Sequence, residues 1–431
     1  MTTFVTKELS RTLGTELTIG KIDIGLLNRI IIDDVLLDDQ SGKEMLKITR
    51  LSAKFDIIPL FNGKITISSV QLFGFNINLN KPAPHMEPNF KFVLDAFASK
   101  DTVKTKKDID LRINSILIRR GKLSYDVLSE EETPGKFNPQ HIKLHNIIAN
   151  ISLKALQNDS INAAIKRLSV DEQSGFELRK LSLKVIANNK GMKIENFAIE
   201  MPGTEMKMDT IRMEYDSLKA LNHFADNVRF SFRTLPSHVT LNDISAFVPA
   251  LSNFKEKLDL NIDVEGTLNQ LNCRTLEINA GDKFRLKGDV SLQDLSRPQD
   301  AYVYGHLANL SANKEGIGFL VRNLSPHYNG VPPVLQHLGN TSFHGEISGY
   351  FTDLVMYGLF RTDIGSVQTD LKLSSDKAKA LFSYSGGVKT TDFELGQLLG
   401  NKQLGKITFN LDVRGNHYKS QYPSITLKGL I

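Results

Sequence analysis

The property that most restricts what this chain can become is period two. Apolar and polar residues alternate again and again along it, and successive side chains of a β-strand leave opposite faces, so alternation marks strands with one buried and one wet face. In Phe73–Asn80, Phe73, Phe75, Ile77 and Leu79 share one parity, while Gly74, Asn76, Asn78 and Asn80 share the other. Leu181, Leu183 and Val185 alternate with Ser182 and Lys184. Leu258, Leu260, Ile262 and Val264 alternate with Asp259, Asn261, Asp263 and Glu265. Phe284 and Leu286 stand against Arg285 and Lys287, and Phe343 and Ile347 against His344 and Glu346. Ile407, Phe409, Leu411 and Val413 alternate with Thr408, Asn410, Asp412 and Arg414. Clean alternation of this kind predicts antiparallel sheet covered on one face. The fold class is therefore mainly β.

Helical stretches are few and short. The spacing predicts amphipathic helices over Phe4–Leu13, stopped by Gly14, and over Phe90–Ala98, Leu218–Ala225, Leu241–Phe254, Val331–Leu338 and Asp392–Leu399. Ser99–Lys107 is polar without periodicity and reads as disordered, and Glu130–Pro139 reads as an exposed loop. An internal repeat runs through the last third. Three alternating strands end in a glycine, at Gly266, Gly349 and Gly415, which lie 83 and 66 residues apart. Each glycine is followed ten residues later by a new apolar start, at Leu276, Leu359 and Ile425. Repetition favours one elongated sheet over the three globular domains that 431 residues could hold. The expected organisation is an N-terminal helix over 1–14, a first β-region over 15–240 and continuing repeats over 241–431.

Other classes are disfavoured residue by residue. The formal net charge is +5, with no dense basic stripe of the kind that nucleic acid demands. The longest purely apolar runs, such as Ile30–Ile32, fall far short of the roughly 20 residues that cross a bilayer. Met1–Ser10 lacks the apolar stretch of a signal peptide, and both ends read as cut from a longer protein. A single cysteine, Cys273, excludes an internal disulfide and suggests no catalytic partner. His141 and His145 share a strand face with Lys143 between them, which reads as a solvated face, not a metal site. Asp33–Asp34 and Asp38–Asp39 read as polar positions at strand ends. No phosphate loop, zinc-protease or nucleophile-elbow motif is present, so no enzyme activity, cofactor or metal is expected. From the residues alone, a closed sandwich or barrel core and an open apolar groove both remain compatible with the alternation.

Glu8–Leu46 (ELSRTLGTELTIGKIDIGLLNRIIIDDVLLDDQSGKEML) and Leu51–Leu79 (LSAKFDIIPLFNGKITISSVQLFGFNINL) resemble the start of TamB-type proteins of the AsmA-like superfamily, particularly those of Bacteroidota. In that pattern an amphipathic helix leads into a strand, a strand with an acidic end, a further strand, a turn around Pro59–Gly63, and a strand pair with alternating aromatic and aliphatic residues. Phe90–Ala98 and a strand pair over Ile113–Asp126 resemble the following units, and the likeness from Leu241 onward is one of repeat style. The resemblance implies a long twisted sheet folded into a U-shaped β-groove lined by the alternating apolar residues, as in bridge-like lipid-transfer proteins. It implies a periplasmic protein held in the inner membrane by a helix outside this chain. Phospholipid acyl chains would be the ligand in transport toward the outer membrane. An outer-membrane barrel partner of the TamA/BamA type would meet a C-terminal part outside this chain. The alternative reading it allows is a scaffold or chaperone for translocation and assembly of outer-membrane barrel proteins.

Overall fold

The computed structural model describes residues 2–25, 28–55, 65–97, 109–110, 114–157, 160–297, 299–324, 331, 333–376, 381–418 and 424–431. It is mainly β, as the alternation predicts, and it divides into two compact units. One comprises Met1–Asn188, Ile194–Pro202 and Asn242–Ser252; the other comprises Asn189–Lys193, Gly203–Leu241 and Asn253–Ile431. The units thus interleave along the chain and do not meet at residue 240.

In the first unit, β1 (Leu17–Gly25), β2 (Arg29–Asp38), β3 (Glu44–Phe55) and β4 (Ile65–Lys81) pair antiparallel in sequence order. β5 (Ile109–Asp110) and β6 (Ser115–Val127) then lie parallel to β4. A parallel step needs a crossover connection, and the segment that makes it contains a helix, Lys91–Phe97. β7 (His141–Gln157), β8 (Ser160–Glu172) and β9 (Glu177–Asn188) resume antiparallel pairing, and β10 (Gly191–Glu200) follows. Two helices, α1 (Thr2–Leu13) and α2 (Lys91–Phe97), supply apolar side chains over one end of the sheet. There Leu17, Leu37, Met45 and Phe92 are buried, with Leu13, Ile19, Val35, Leu79 and Val93 packed around them.

The second unit opens with β11 (Glu205–Met208), β12 (Ile211–Glu214), β13 (Arg229–Arg233) and β14 (Ser237–Val239). A series of ten antiparallel strands follows: β15 (Leu258–Thr267), β16 (Gln270–Ala280), β17 (Phe284–Gln293), β18 (Tyr302–Ala312), β19 (Thr341–Tyr350), β20 (Asp353–Thr362), β21 (Gly365–Asp376), β22 (Leu381–Glu394), β23 (Lys406–Tyr418) and β24 (Ser424–Leu430). Four short helices accompany them: α3 (Phe224–Asn227), α4 (Lys314–Leu324), α5 (Pro333–Gln336) and α6 (Leu395–Leu399). Ile317 and Phe319 of α4 are buried with Leu258, Ala280, Phe284 and Ala312 of the sheet. Burying one such side chain contributes about 2 kcal/mol, which is what fixes so short a helix to the sheet.

Several expectations need correcting. α4 was not expected, because Gly316 and Gly318 lower helix propensity. The first of these is required by packing: a Cβ on Gly316 would stand 1.8 Å from the Lys283 carbonyl oxygen, while its N–H is capped by Asn313 Oδ1 at 2.9 Å. The expected helix over Leu241–Phe254 is two 3-10 turns, Leu241–Ile244 and Pro249–Leu251. Leu218–Ala225 begins as a 3-10 turn, Leu218–His223, before α3. Ile113–Asp126 is no strand pair: β6 passes straight through Gly121, whose missing side chain admits the Phe75 ring, 2.4 Å from where a Cβ would be. Likewise β4 is one strand of 17 residues. Asp33 and Asp34 sit in mid-strand. Of the three repeat glycines, Gly266 (φ 131°) and Gly349 (φ 128°) share a conformation, whereas Gly415 lies under the Tyr384 ring and lacks it. Ser99–Lys107 and the turn at 59–63 lie outside the described residues.

Candidate functional site

The first unit carries a break in its alternation. Along β2, β4, β6 and β7, a residue in the left-handed region appears at Asp34 (φ 56°), Gly74 (φ 63°), Arg120 (φ 57°) and Asn146 (φ 54°). Such a residue re-aims the side chains that follow it. At the same level two consecutive residues are exposed, Gly20–Lys21 in β1, Thr49–Arg50 in β3, Arg119–Arg120 in β6 and His145–Asn146 in β7. The apolar side continues past the break because the sequence switches parity with it, from Leu17 and Ile19 to Ile22, and from Ile48 to Leu51, although Ile24 beyond Ile22 is 81% exposed.

Phe73 does not switch. Pairing places Lys21, Asp33, Arg50, Phe73 and Arg119 in one cross-strand row, and Val35, Ile48 and Phe75 in the next. Ile48 and Phe75 are buried, whereas Lys21, Arg50 and Arg119 are exposed. Phe73 therefore stands among charges, out of step with Phe75, Ile77 and Leu79, and its expected place beside them is corrected by the conformation of Gly74. Arg50 Nε and Nη2 donate to Asp33 Oδ1 and Oδ2 at 2.6 and 3.0 Å, which holds the Asp33 carboxyl below its ordinary range.

The second unit keeps one apolar face across its series of strands. The register sets Phe232 opposite Val264, Ile262 opposite Leu276, Leu260 opposite Ile278, and Ile278 opposite Leu286. It continues with Leu286 opposite Leu310, Leu310 opposite Phe343, Ile347 opposite Met356, and Met356 opposite Leu371. Val388 opposite Leu411 and Val413 opposite Leu427 complete it. The other face carries ion pairs, among them Lys287 with Glu277 at 2.6 Å and Lys372 with Asp353 at 2.8 Å.

Cover on this face is concentrated at one end. Leu258 and Phe284 are buried under α4, with Leu260 and Leu286 packed beside them. Ile407 packs against a second cluster, Leu338, Ile364 and Phe393, beside Leu398 of α6. Between α4, α5 and the sheet lies an apolar cavity of about 200 Å³, walled by Leu310, Ile317, Leu320, Leu335, Phe343 and Phe360. Phe343 is 3% exposed, its ring lying over the close pair Gly345–Gly358. Farther along the same face Ile262, Ile347, Phe409 and Val413 are half-buried, while Val264 and Leu411 are buried. In the first unit Leu181, Leu183 and Val185 of β9 are half-buried opposite Leu168, Ile165 and Ala163. Leu276, Ile278, Leu310, Met356 and Leu371 belong to the face but were not picked out as lining. Bulges in β16 and β18 displace the parity of Leu276, Ile278 and Leu310, which hides these three from a strict period-two reading.

The polar candidates are structural. His141 is buried, contrary to the solvated face expected, and both its ring nitrogens are engaged, Nδ1 with Asp126 Oδ1 and Nε2 with the Glu130 carbonyl, each at 3.0 Å. Two acceptors, one at each ring nitrogen, favour the doubly protonated ring. The Asp126 hydrogen bond raises its pKa above the ordinary 6.5. Glu132 completes a group of three potential metal ligands with these two, and the hydrogen bonds at both ring nitrogens compete with any ligation by His141. His145 is exposed, 3.9 Å from Asp171. Asp39 accepts from Ser41 N, Lys43 N and Asn89 Nδ2 and so ties the β2–β3 turn; burial opposes its charge, but these bonds prevail and lower its pKa. Cys273 is buried, and burial raises its thiol pKa, the reverse of what a nucleophile needs.

Comparison of the chain with protein-family models, with curated proteins and with solved structures returns no match. Among the described residues no helix is long and apolar enough to cross a membrane.

Proposed function

We propose that this protein moves phospholipid by holding acyl chains against the apolar face of its sheet, in a periplasmic bridge between inner and outer membranes. The observation that carries the reading is the run of apolar cross-strand pairs through β15–β21, resumed across β22–β24 after Leu371 meets Gly386 and Val388 meets Thr369; helices cover it at one end, and it is half-buried farther along and exposed at β24. A face of this kind replaces water around an acyl chain without directional bonds. At about 0.8 kcal/mol per methylene, a 16-carbon chain gains on the order of 10 kcal/mol, enough to offset its departure from a bilayer. Ligands held only by dispersion and water exclusion slide with few bonds to break. The membranes named, the anchor and a barrel partner rest on the resemblance to TamB-type proteins.

The test is transfer of fluorescent phospholipid between donor and acceptor vesicles. Ile262→Asp and Phe409→Asp, at half-buried positions of the face, should cut the transfer rate at least tenfold while the circular dichroism spectrum is retained. Full transfer by both folded variants would remove the proposal. A second reading, a scaffold that adds client strands, is favoured by β24, where Ile425 is 60%, Leu427 54% and Leu430 77% exposed. It predicts saturable binding of unfolded barrel peptides that is lost on Leu427→Pro.

A further inference from the structure

The break in the first unit opens a cleft of about 730 Å³ on the charged side of the sheet, floored by Phe73, Leu117 and Ile148. Three arginines wall it, Arg119 and Arg120 from β6 and Arg167 from β8, with Asn150 of β7 between them. The register fixes this convergence: Leu117 pairs with Asn150, and Asn150 with Arg167, so the guanidinium-bearing strands lie two strand spacings apart, about 10 Å. Arg119 sits two residues along from Leu117, beside Phe73.

The cleft gathers three guanidinium groups without a partner carboxylate among the described residues. Several other cations of this unit are ion-paired, among them Arg50 with Asp33, Lys143 with Glu132, Arg179 with Glu177 and Lys184 with Glu195. Among the described residues no carboxylate lies within ion-pair distance of Arg119, Arg120 or Arg167. Three like charges gathered around one concave apolar floor repel one another, and an anion with bidentate oxygens relieves that. The neighbouring cleft of about 400 Å³, across Phe73, is lined instead by Asp33, Asp34 and Arg50, so a second anionic group could not extend that way.

We infer that this cleft is a binding site for one phosphate group, a monoester or diester, whose apolar substituent lies on Phe73, Leu117 and Ile148. The site is separate from the apolar face proposed to carry acyl chains and does not depend on that reading. Two sources share the chemistry, a phospholipid headgroup and a soluble organophosphate.

Calorimetric titration of the whole chain separates them, with phenyl phosphate, glycerol 3-phosphate and sub-micellar dihexanoyl phosphatidic acid as probes. Dihexanoylglycerol serves as the neutral control. Tighter binding of the phosphatidic acid than of either soluble ester assigns a headgroup; equal or tighter binding of a soluble ester assigns an organophosphate. In both cases Arg119→Gln and Arg167→Gln should each weaken binding about tenfold, and the neutral control should not bind. Arg119→Lys and Arg167→Lys keep the charge while removing the bidentate fork, and should weaken binding by a smaller factor with the thermal midpoint unchanged. Binding of no phosphate probe, or binding unaffected by all four substitutions, overturns the inference.

Discussion

The two units use the same alternating residues to different effect. In the first, β2, β4, β6 and β7 carry left-handed residues at neighbouring positions, so their side-chain directions change together, and a charged row with a cleft appears in mid-sheet. In the second, register shifts fall in β16 and β18 while β17 and β19 keep strict parity, so the apolar face passes across them intact. Left-handed residues lined up at one level, on the adjacent strands β4, β6 and β7 and again on β2, accompany a feature on the outer face; the slips of β16 and β18 leave the apolar pairs of β15–β19 in register. Local alternation fixes which residues are strand residues, and the placement of slips decides which of them meet.

Substitutions can break this comparison. The largest effect is expected at Phe343, the tightest point of the second unit's face: Phe343→Ala should cost about 3–5 kcal/mol in denaturant unfolding, because the ring covers Gly345 and Gly358 and leaves a cavity. A loss below about 1 kcal/mol would mean that the ring is not core. Next comes Gly74, on which the first unit's slip depends. Gly74→Ala should cost about 1–2 kcal/mol, from a left-handed backbone and a Cβ 2.7 Å from Thr49 Oγ1. Its counterpart Gly387→Ala, in β22 with open space around it, should change stability by less than about 0.5 kcal/mol. Equal costs at the two glycines would show that the slip is not locked by Gly74.

The smallest effect is the pH dependence of the loop from Leu128 to Gln140. The folded pKa of His141 is raised, chiefly by Asp126, so its contribution is complete below about 6.5, the unfolded value, and is lost as pH rises through the folded value. Amide exchange at Val127 and His141, whose N–H groups donate to Gln140 O and Asn138 O, should therefore speed up above that range in the wild type. It should be insensitive to pH in His141→Gln, once the intrinsic base catalysis of exchange is subtracted. Identical profiles in the two proteins would show that the imidazolium does not hold the loop.

Most strands were legible because alternation is a direct image of a half-buried strand. Leu258, Leu260, Ile262 and Val264 fall on one face, as do Ile407, Phe409, Leu411 and Val413. Phe73 was misplaced because period two carries no sign of a left-handed residue. The doubled polar residues Thr49–Arg50 and Arg119–Arg120 were the available signal. Ile317, Leu320 and Val321 keep helical spacing in α4, but its two glycines masked the helix. The partnership of His141 with Asp126 crosses 15 residues and one strand pairing, and no local pattern in HIKLH announces it. The parallel step from β4 to β6 likewise depends on where the crossover returns, which alternation does not encode.

The central claim is that the second unit's apolar face holds acyl chains, and the most direct measurement is native mass spectrometry of the protein purified without detergent, paired with lipid extraction. The account predicts bound phospholipid on the wild type and its loss from Ile262→Asp and Phe409→Asp. A folded, monomeric wild type that carries no lipid, and takes up none from vesicles, would contradict it and leave the face as a closed core.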